Sequence, residues 1–218
     1  QLRNDIRLKL IVIQTLTPLD KESKRLMKRR SLHIIRDEHA SLAAMLRSMT
    51  QLLERGPAED APQFFEVMRA MLFYIDEFPE QLHHPKESNL LFPKVAKKAP
   101  EVRGAIDRLE RDHMHSEKAV RDLLHLLLAW ELVGPTRKAG FVDAFGPYVE
   151  SYLDHMRLEE TVVLPAAQES LTDEDWAEVD QAFDQNADPL TGKHPPGPAF
   201  EKLFSRIVAK APAPIGLG

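Results

Sequence analysis

The residues in this chain that could do chemistry are its nine histidines and a set of glutamates, and there is no cysteine among its 218 residues. Four histidines, His39, His83, His113 and His155, fall one in each of four helix-like stretches. Three of them carry a glutamate four residues later: Glu87, Glu117 and Glu159. Residues at i and i+4 share one helix face, about 6 Å apart along the axis. An imidazole and a carboxylate at that spacing can reach one metal ion, or two adjacent ions with the carboxylate bridging. A lone histidine on an apolar stripe is most often a satisfied core residue, and one HxxxE pair is usually an exposed surface contact. One histidine per helix with the HxxxE spacing repeated is a different observation, and it points to a metal site.

Energetics argue the same way. An ionised carboxylate buried without a partner costs several kcal/mol, and three would consume much of a stability of about 5–15 kcal/mol. No arginine or lysine occupies these stripe positions, so the counter-charge must come from elsewhere, and a metal pair would supply it. Without cysteine the ligands are nitrogen and oxygen, which suits iron, manganese or zinc. A structural zinc typically takes four ligands, fewer than the candidates here, so two ions bridged by carboxylates fit better. The histidine share favours iron. The other histidines read as solvated or structural: His33 and His115 fall off the stripes, His125 lacks an acidic partner at i+4, and His194 lies among prolines.

The elements that must position these groups are helical. Apolar residues recur at three- and four-residue steps over roughly 31–55, 63–98, 101–132 and 137–169, the signature of one buried helical stripe per segment. The stripe of the first runs Leu32, Ile35, His39, Leu42, Leu46, Met49. The third runs Ile106, Leu109, His113, Glu117, Val120. The fourth includes Phe141, Phe145, Tyr148, Tyr152, His155 and Glu159; tyrosines on such a stripe are most often core residues, and the alternative role for one of them is a hydrogen bond to a small ligand at the site. Pro79 and Pro85 interrupt the second, where His83, Glu87 and Leu90 still share a face. Gly56-Pro57, Ala99-Pro100 and Gly134-Pro135 punctuate the chain. The expected fold class is all-α: an antiparallel up-down four-helix bundle over 31–170 with extra C-terminal helices. Thr172 is the expected N-cap of the first of these, residues 200–210 form a short amphipathic helix, and the tail to 218 is irregular. This C-terminal part, 171–218, is expected to pack on the bundle, with Trp176 and Phe204 in a lid or a readout surface. Residues 1–30 read as an N-terminal extension, non-native or flexible, with Met27 as a natural start and the basic run 21–30 as a solvated arm.

The segments RDEHASL, YIDEFPEQLHHPKESNLLFP, ERDHMHSE and YLDHMRLEETVVLP resemble the hemerythrin-like HHE cation-binding domain over about residues 31–169, with H…HxxxE…H…HxxxE on four helices. The HHPKE and DPLTG segments resemble a longer bacterial form of that family. The resemblance implies His39, His83, Glu87, His113, His155 and Glu159 as ligands of two iron ions, with Glu87 and Glu159 bridging and an oxo or hydroxo bridge between the ions. Oxygen-carrying members use five histidines and two carboxylates, two of the histidines lying four apart on the third helix. Here Glu117 stands at the second of those positions, a departure that counts against simple oxygen transport. Glu117 could bind directly or hold His113, and His84, beside His83 at the Pro85 distortion, is the favoured replacement ligand.

Composition excludes other classes. Net charge is −5, so nothing in the whole chain calls for nucleic acid. No apolar run approaches a membrane span, and a cytoplasmic location is expected. The leading functional expectation is a non-haem di-iron protein that binds or senses O2, iron, nitric oxide or peroxide, with any protein partner unknown. The alternatives are a di-iron oxidase, peroxidase or repair enzyme, and a metal-free helical interaction module.

Overall fold

A computed structural model of the chain describes residues 29–57, 61–186 and 188–217. The expected extension over 1–30 lies, up to residue 28, outside the described residues. All described elements are helical, and there is no strand among them. Helix α1 spans Arg30–Arg55. It stops where Gly56 turns to a φ of 69°, its N–H bonded to Leu52 O, a conformation that favours glycine. Helix α2 begins at Ala61–Ile75. The irregularity expected at Pro79 and Pro85 does not end the segment, and the chain stays helical through both prolines. It widens into π-helical turns at Asp76–His83 and Glu87–Leu91, with one α turn, His84–Lys86, between them. It tightens again in α3, Phe92–Lys98. Proline removes one donor from the ladder, and a widened turn re-pairs the rest as i to i+5 bonds: the N–H of His84 donates to Pro79 O and that of Phe92 to Glu87 O.

Helix α4 is Arg103–Val133 and α5 is Lys138–Leu158. The latter continues through a third π-helical turn, Glu159–Val163, into α6, Leu164–Ser170. Helix α7, Asp173–Phe183, starts with a reciprocal cap between Thr172 and Asp175, as the sequence predicts. Helix α8 is Glu201–Lys210. No helix among the described residues is long and apolar enough to cross a membrane.

The apolar interior is divided in two. One cluster gathers Leu42 to Met49 of α1, Phe64 to Ile75 of α2, Val120 to Trp130 of α4 and Phe141 to Tyr152 of α5. The other holds Leu32 and Ile35 of α1, Phe92 and Val95 of α3, Ile106 and Leu109 of α4, and Val163 to Ala167 around α6. Each long helical segment therefore passes from one cluster to the other, in alternating sense along the chain. Every segment carries its histidine at the crossing.

The C-terminal helices brace this arrangement. Asp180 of α7 is buried and accepts from the Ser31 backbone N–H (2.9 Å) and Oγ (2.7 Å), giving α1 the N-terminal acceptor that its own Arg29 cannot provide. Trp176 and Phe204 are both buried, the first in one apolar cluster and the second in the other. Neither forms an exposed readout surface. Their apolar area drives the packing of α7 and α8, at roughly 1.5–3 kcal/mol for a fully buried large side chain.

Candidate metal centre

Between the two apolar clusters lies a layer of buried histidines and glutamates. His39, His83, His84, His113 and His155 are each at most 7 % exposed, and Glu87 and Glu159 are fully buried. Their side chains form two groups whose ligating atoms all lie within 4.8 Å of one another: His84, Glu87, His113 and His155, and His39, His83, Glu87 and Glu159. Glu87 belongs to both. The Nε2 atoms of His113 and His155 are 3.2 Å apart. The Nε2 of His83 lies 2.7 Å from Glu87 Oε1, that of His113 3.3 Å from Glu87 Oε2, and that of His39 3.3 Å from Glu159 Oε2. Atoms bound about 2.1 Å from a common ion sit at such spacings.

The residues present fit a metal. Both carboxylate oxygens of Glu87, both of Glu159 and the Nε2 of His83 are buried, and although imidazole nitrogens stand 2.7–3.3 Å from three of the oxygens, none of the five atoms makes a hydrogen bond. Five orphaned polar atoms converging on one layer are too costly to be a packing accident. The carboxyls also cannot share the site comfortably as anions. Burial works against charge on Glu87, but His83 and His113 outweigh it and hold that carboxyl well below its usual range. Burial and the neighbouring Glu87 push Glu159 up to about 7. A cation between them removes this conflict.

Four of the five rings are fixed from behind through Nδ1, which leaves Nε2 facing inward. His83 Nδ1–H donates to Glu38 (2.6 Å), His39 to Glu160 (2.9 Å), His84 to Glu80 (2.9 Å) and His113 to Ser88 Oγ (2.9 Å). His155 Nδ1 faces Asp112 at 3.6 Å. Such partners set tautomer and orientation in metal-binding histidines. Burial opposes charge on His39, yet Glu159 and Glu160 raise it to about 9. Burial and His113 hold His84 well below the ordinary histidine value.

Of the sequence-predicted site residues, seven are brought together and one is not. Glu117 points outward, its side chain 48 % exposed and paired with Arg121 at 3.0 Å. From His113 the buried stripe steps to Ser116 and then Val120, so the i+3 residue takes the inward position. Ser116 donates to Glu80 (2.9 Å). Glu80 is the residue that sequence reasoning missed here. It is 5 % exposed, accepts from Tyr152 OH (3.0 Å) as well, and burial lifts its carboxyl to about 7 against those donors. Tyr152 OH also lies 3.2 Å from His84 Nε2, whereas Tyr148 OH is buried without a hydrogen-bond partner. Glu38, Glu160, Asp112 and Ser88 were missed too, although each is the immediate neighbour of a candidate ligand. His33, His115, His125 and His194 are exposed.

Two spaces adjoin the layer. A cavity of about 20 Å³ is lined by His39, His83, His84, His155, Glu38 and Asn186, among others, enough for one water-sized or diatomic molecule. A more open groove of about 280 Å³ runs between α4 and α5 and reaches His84, His155, Tyr148 and Tyr152. Set beside known proteins, residues 30–167 match a family model described as the hemerythrin HHE cation binding domain. No curated protein and no solved structure matches the chain.

Proposed function

The chain belongs to the hemerythrin HHE cation-binding domain family, and from that premise we propose that it is a non-haem di-iron protein that binds or senses O2 or a related small redox ligand such as nitric oxide or peroxide. In this reading the alternating helices form the antiparallel up-down bundle, His84, His113 and His155 would hold one iron, His39, His83 and Glu159 would hold the other, and Glu87, common to both groups, would serve both, so that the second bridge expected at Glu159 is not part of the reading. The observation that carries it is the sharing of Glu87 between two four-ligand groups of buried histidine and carboxylate. His84 supplies the fifth histidine that Glu117 does not. Nitrogen and oxygen donors without sulfur suit iron.

When bound, the pair of irons would supply reversible one-electron chemistry toward a small ligand. The protein's part is to exclude water, fix ring orientation through the Nδ1 acceptors, and limit what enters. The 20 Å³ cavity beside His39 and His83 supports a diatomic or similarly small ligand rather than an organic one. Tyr152, donating to Glu80 next to His84, stands where it could hold a proton near the site.

The test is metal analysis of the full chain after iron-replete expression, with optical spectra before and after oxygen. About two irons per chain and ligand-to-metal charge-transfer absorption that appears with oxygen support the reading. Zinc alone, or a bundle free of metal, defeats it. A second reading, a di-iron oxidoreductase, is favoured by one feature, the open groove reaching His84 and His155. Steady turnover of peroxide with an added reductant would select it over a binder.

A further inference from the structure

The family match stops at residue 167, yet one candidate ligand is held by residues beyond it. Phe183, the last residue of α7 and fully buried, lies edge-on to the His83 ring, with centroids 5.7 Å apart. Three residues on, Asn186 is 4 % exposed. Its Nδ2–H donates to Glu38 Oε2 at 3.1 Å. The same oxygen accepts from His83 Nδ1 at 2.6 Å. Lys86 donates to Asn186 Oδ1, which fixes which end of the amide faces Glu38. Asp188 is bonded to Tyr74 OH at 2.5 Å and, with Asn186, walls the small cavity beside His39 and His83.

We infer that Asn186 is a positioning residue of the metal centre: through Glu38 it orients His83, and so it sets the affinity of the His39–His83 half for its ion without touching that ion. Among the described residues, the other half has no equivalent from this segment. His84 is held by Glu80 and His113 by Ser88, and His155 faces Asp112, all within the matched residues. The segment after α7 thus tunes one of two neighbouring sites, and the centre is unequal by construction. Changes in partners outside the ligand shell typically cost 10–100-fold in metal affinity.

The inference rests on the di-iron reading above, and the experiment keeps the two separable. Fe(II) is titrated anaerobically into the full chain and its Asn186→Leu, Glu38→Gln and double variants. With Asn186→Leu, one of the two stepwise binding constants should fall about 10-fold while the other holds. In the Glu38→Gln background the leucine should add nothing, because both changes act on one path. Unchanged constants, a parallel fall of both, or losses that add would overturn the inference. Should Asn186→Leu not fold, Lys86→Met, at a half-buried position, removes the group that orients the amide and should weaken the same constant. In metal-free protein, the NMR resonance of the His83 Nδ1 proton should move in Asn186→Leu, and a resonance left in place would overturn it. A wild-type chain that binds fewer than two irons defeats the earlier reading alone, since the proton resonance still decides this one.

Discussion

Glu87 and Glu117 show how much one helical step decides. Each follows a histidine by four residues, but Glu87 lies in both ligand groups while Glu117 is paired with Arg121 at the surface. Glu87→Ala should abolish binding of both ions, whereas Glu159→Ala, which disturbs a single group, should leave one ion bound. Glu117→Gln should leave the metal content unchanged. Metal analysis after dialysis separates the three. The outer partners follow a pattern of their own. Glu38 on α1 holds His83, Ser88 holds His113 on α4, Asp112 on α4 approaches His155 on α5, and Glu160 holds His39 on α1. A residue next to an inward-facing ligand is rotated by about 100° and so points sideways to the adjacent helix. The result is a closed ring in which each segment orients a ligand of another.

At the scale of the element, the π-helical turns position the two fully buried carboxylates. Glu87 and Glu159 each open one, and a proline follows each turn at the same interval, Pro93 and Pro165. Leu164 N–H bonds to Glu159 O rather than to a residue four back. Turns of this kind are frequent at functional sites, and here the missing proline donor makes the wider turn the better-paired one. Pro165→Ala restores an N–H and should let the turn tighten to α geometry, swinging Glu159 off the layer. Iron affinity should then fall by about 10-fold or more, the scale set by loss of ligand support, while the thermal stability of the metal-free protein is unchanged or higher. A variant that keeps wild-type affinity would show that the turn is incidental.

For the whole molecule, a polar layer between two apolar clusters makes metal binding and folding one equilibrium. At free iron 100-fold above the dissociation constant, each ion should stabilise the fold by about 2.7 kcal/mol, or roughly 5–10 °C in Tm for a chain of this size. A chelator should remove that shift, and a Tm indifferent to chelation would point to a metal-free module. The C-terminal segment gives a separate pH signature. Burial raises Asp188 from 3.8 to about 6, against the bond from Tyr74. A carboxyl raised on folding favours the folded state below its unfolded value, and that advantage is lost as pH climbs through the folded one. Between pH 4 and 6 the stability of metal-free wild type relative to Asp188→Asn should therefore drop, by on the order of 3 kcal/mol for a shift of about two units. Urea unfolding at several pH values measures it, and a constant difference would refute the assignment.

How far the sequence reached follows from which interactions are local. Periodicity placed the helices to within a few residues, because a buried stripe repeats along one segment, and the orphan charge of Glu87 and Glu159 was legible because nothing nearby could neutralise it. The cap at Thr172 was legible for the same reason, being made between residues three apart. Whether Ser116 or Glu117 faces inward was not, since three- and four-residue steps both satisfy a helix and only the packing of α4 against its neighbours chooses. Nor were the partners of the imidazoles: Asn186 reaches Glu38 across 148 residues, and no spacing encodes a contact between elements. The sequence by itself pointed to a cation site at a buried layer and to eight side chains that could meet it, Glu117 among them. Tertiary structure decided how those side chains divide between two sites and what holds each ring, because orientation between helices is set by the packing of all of them together.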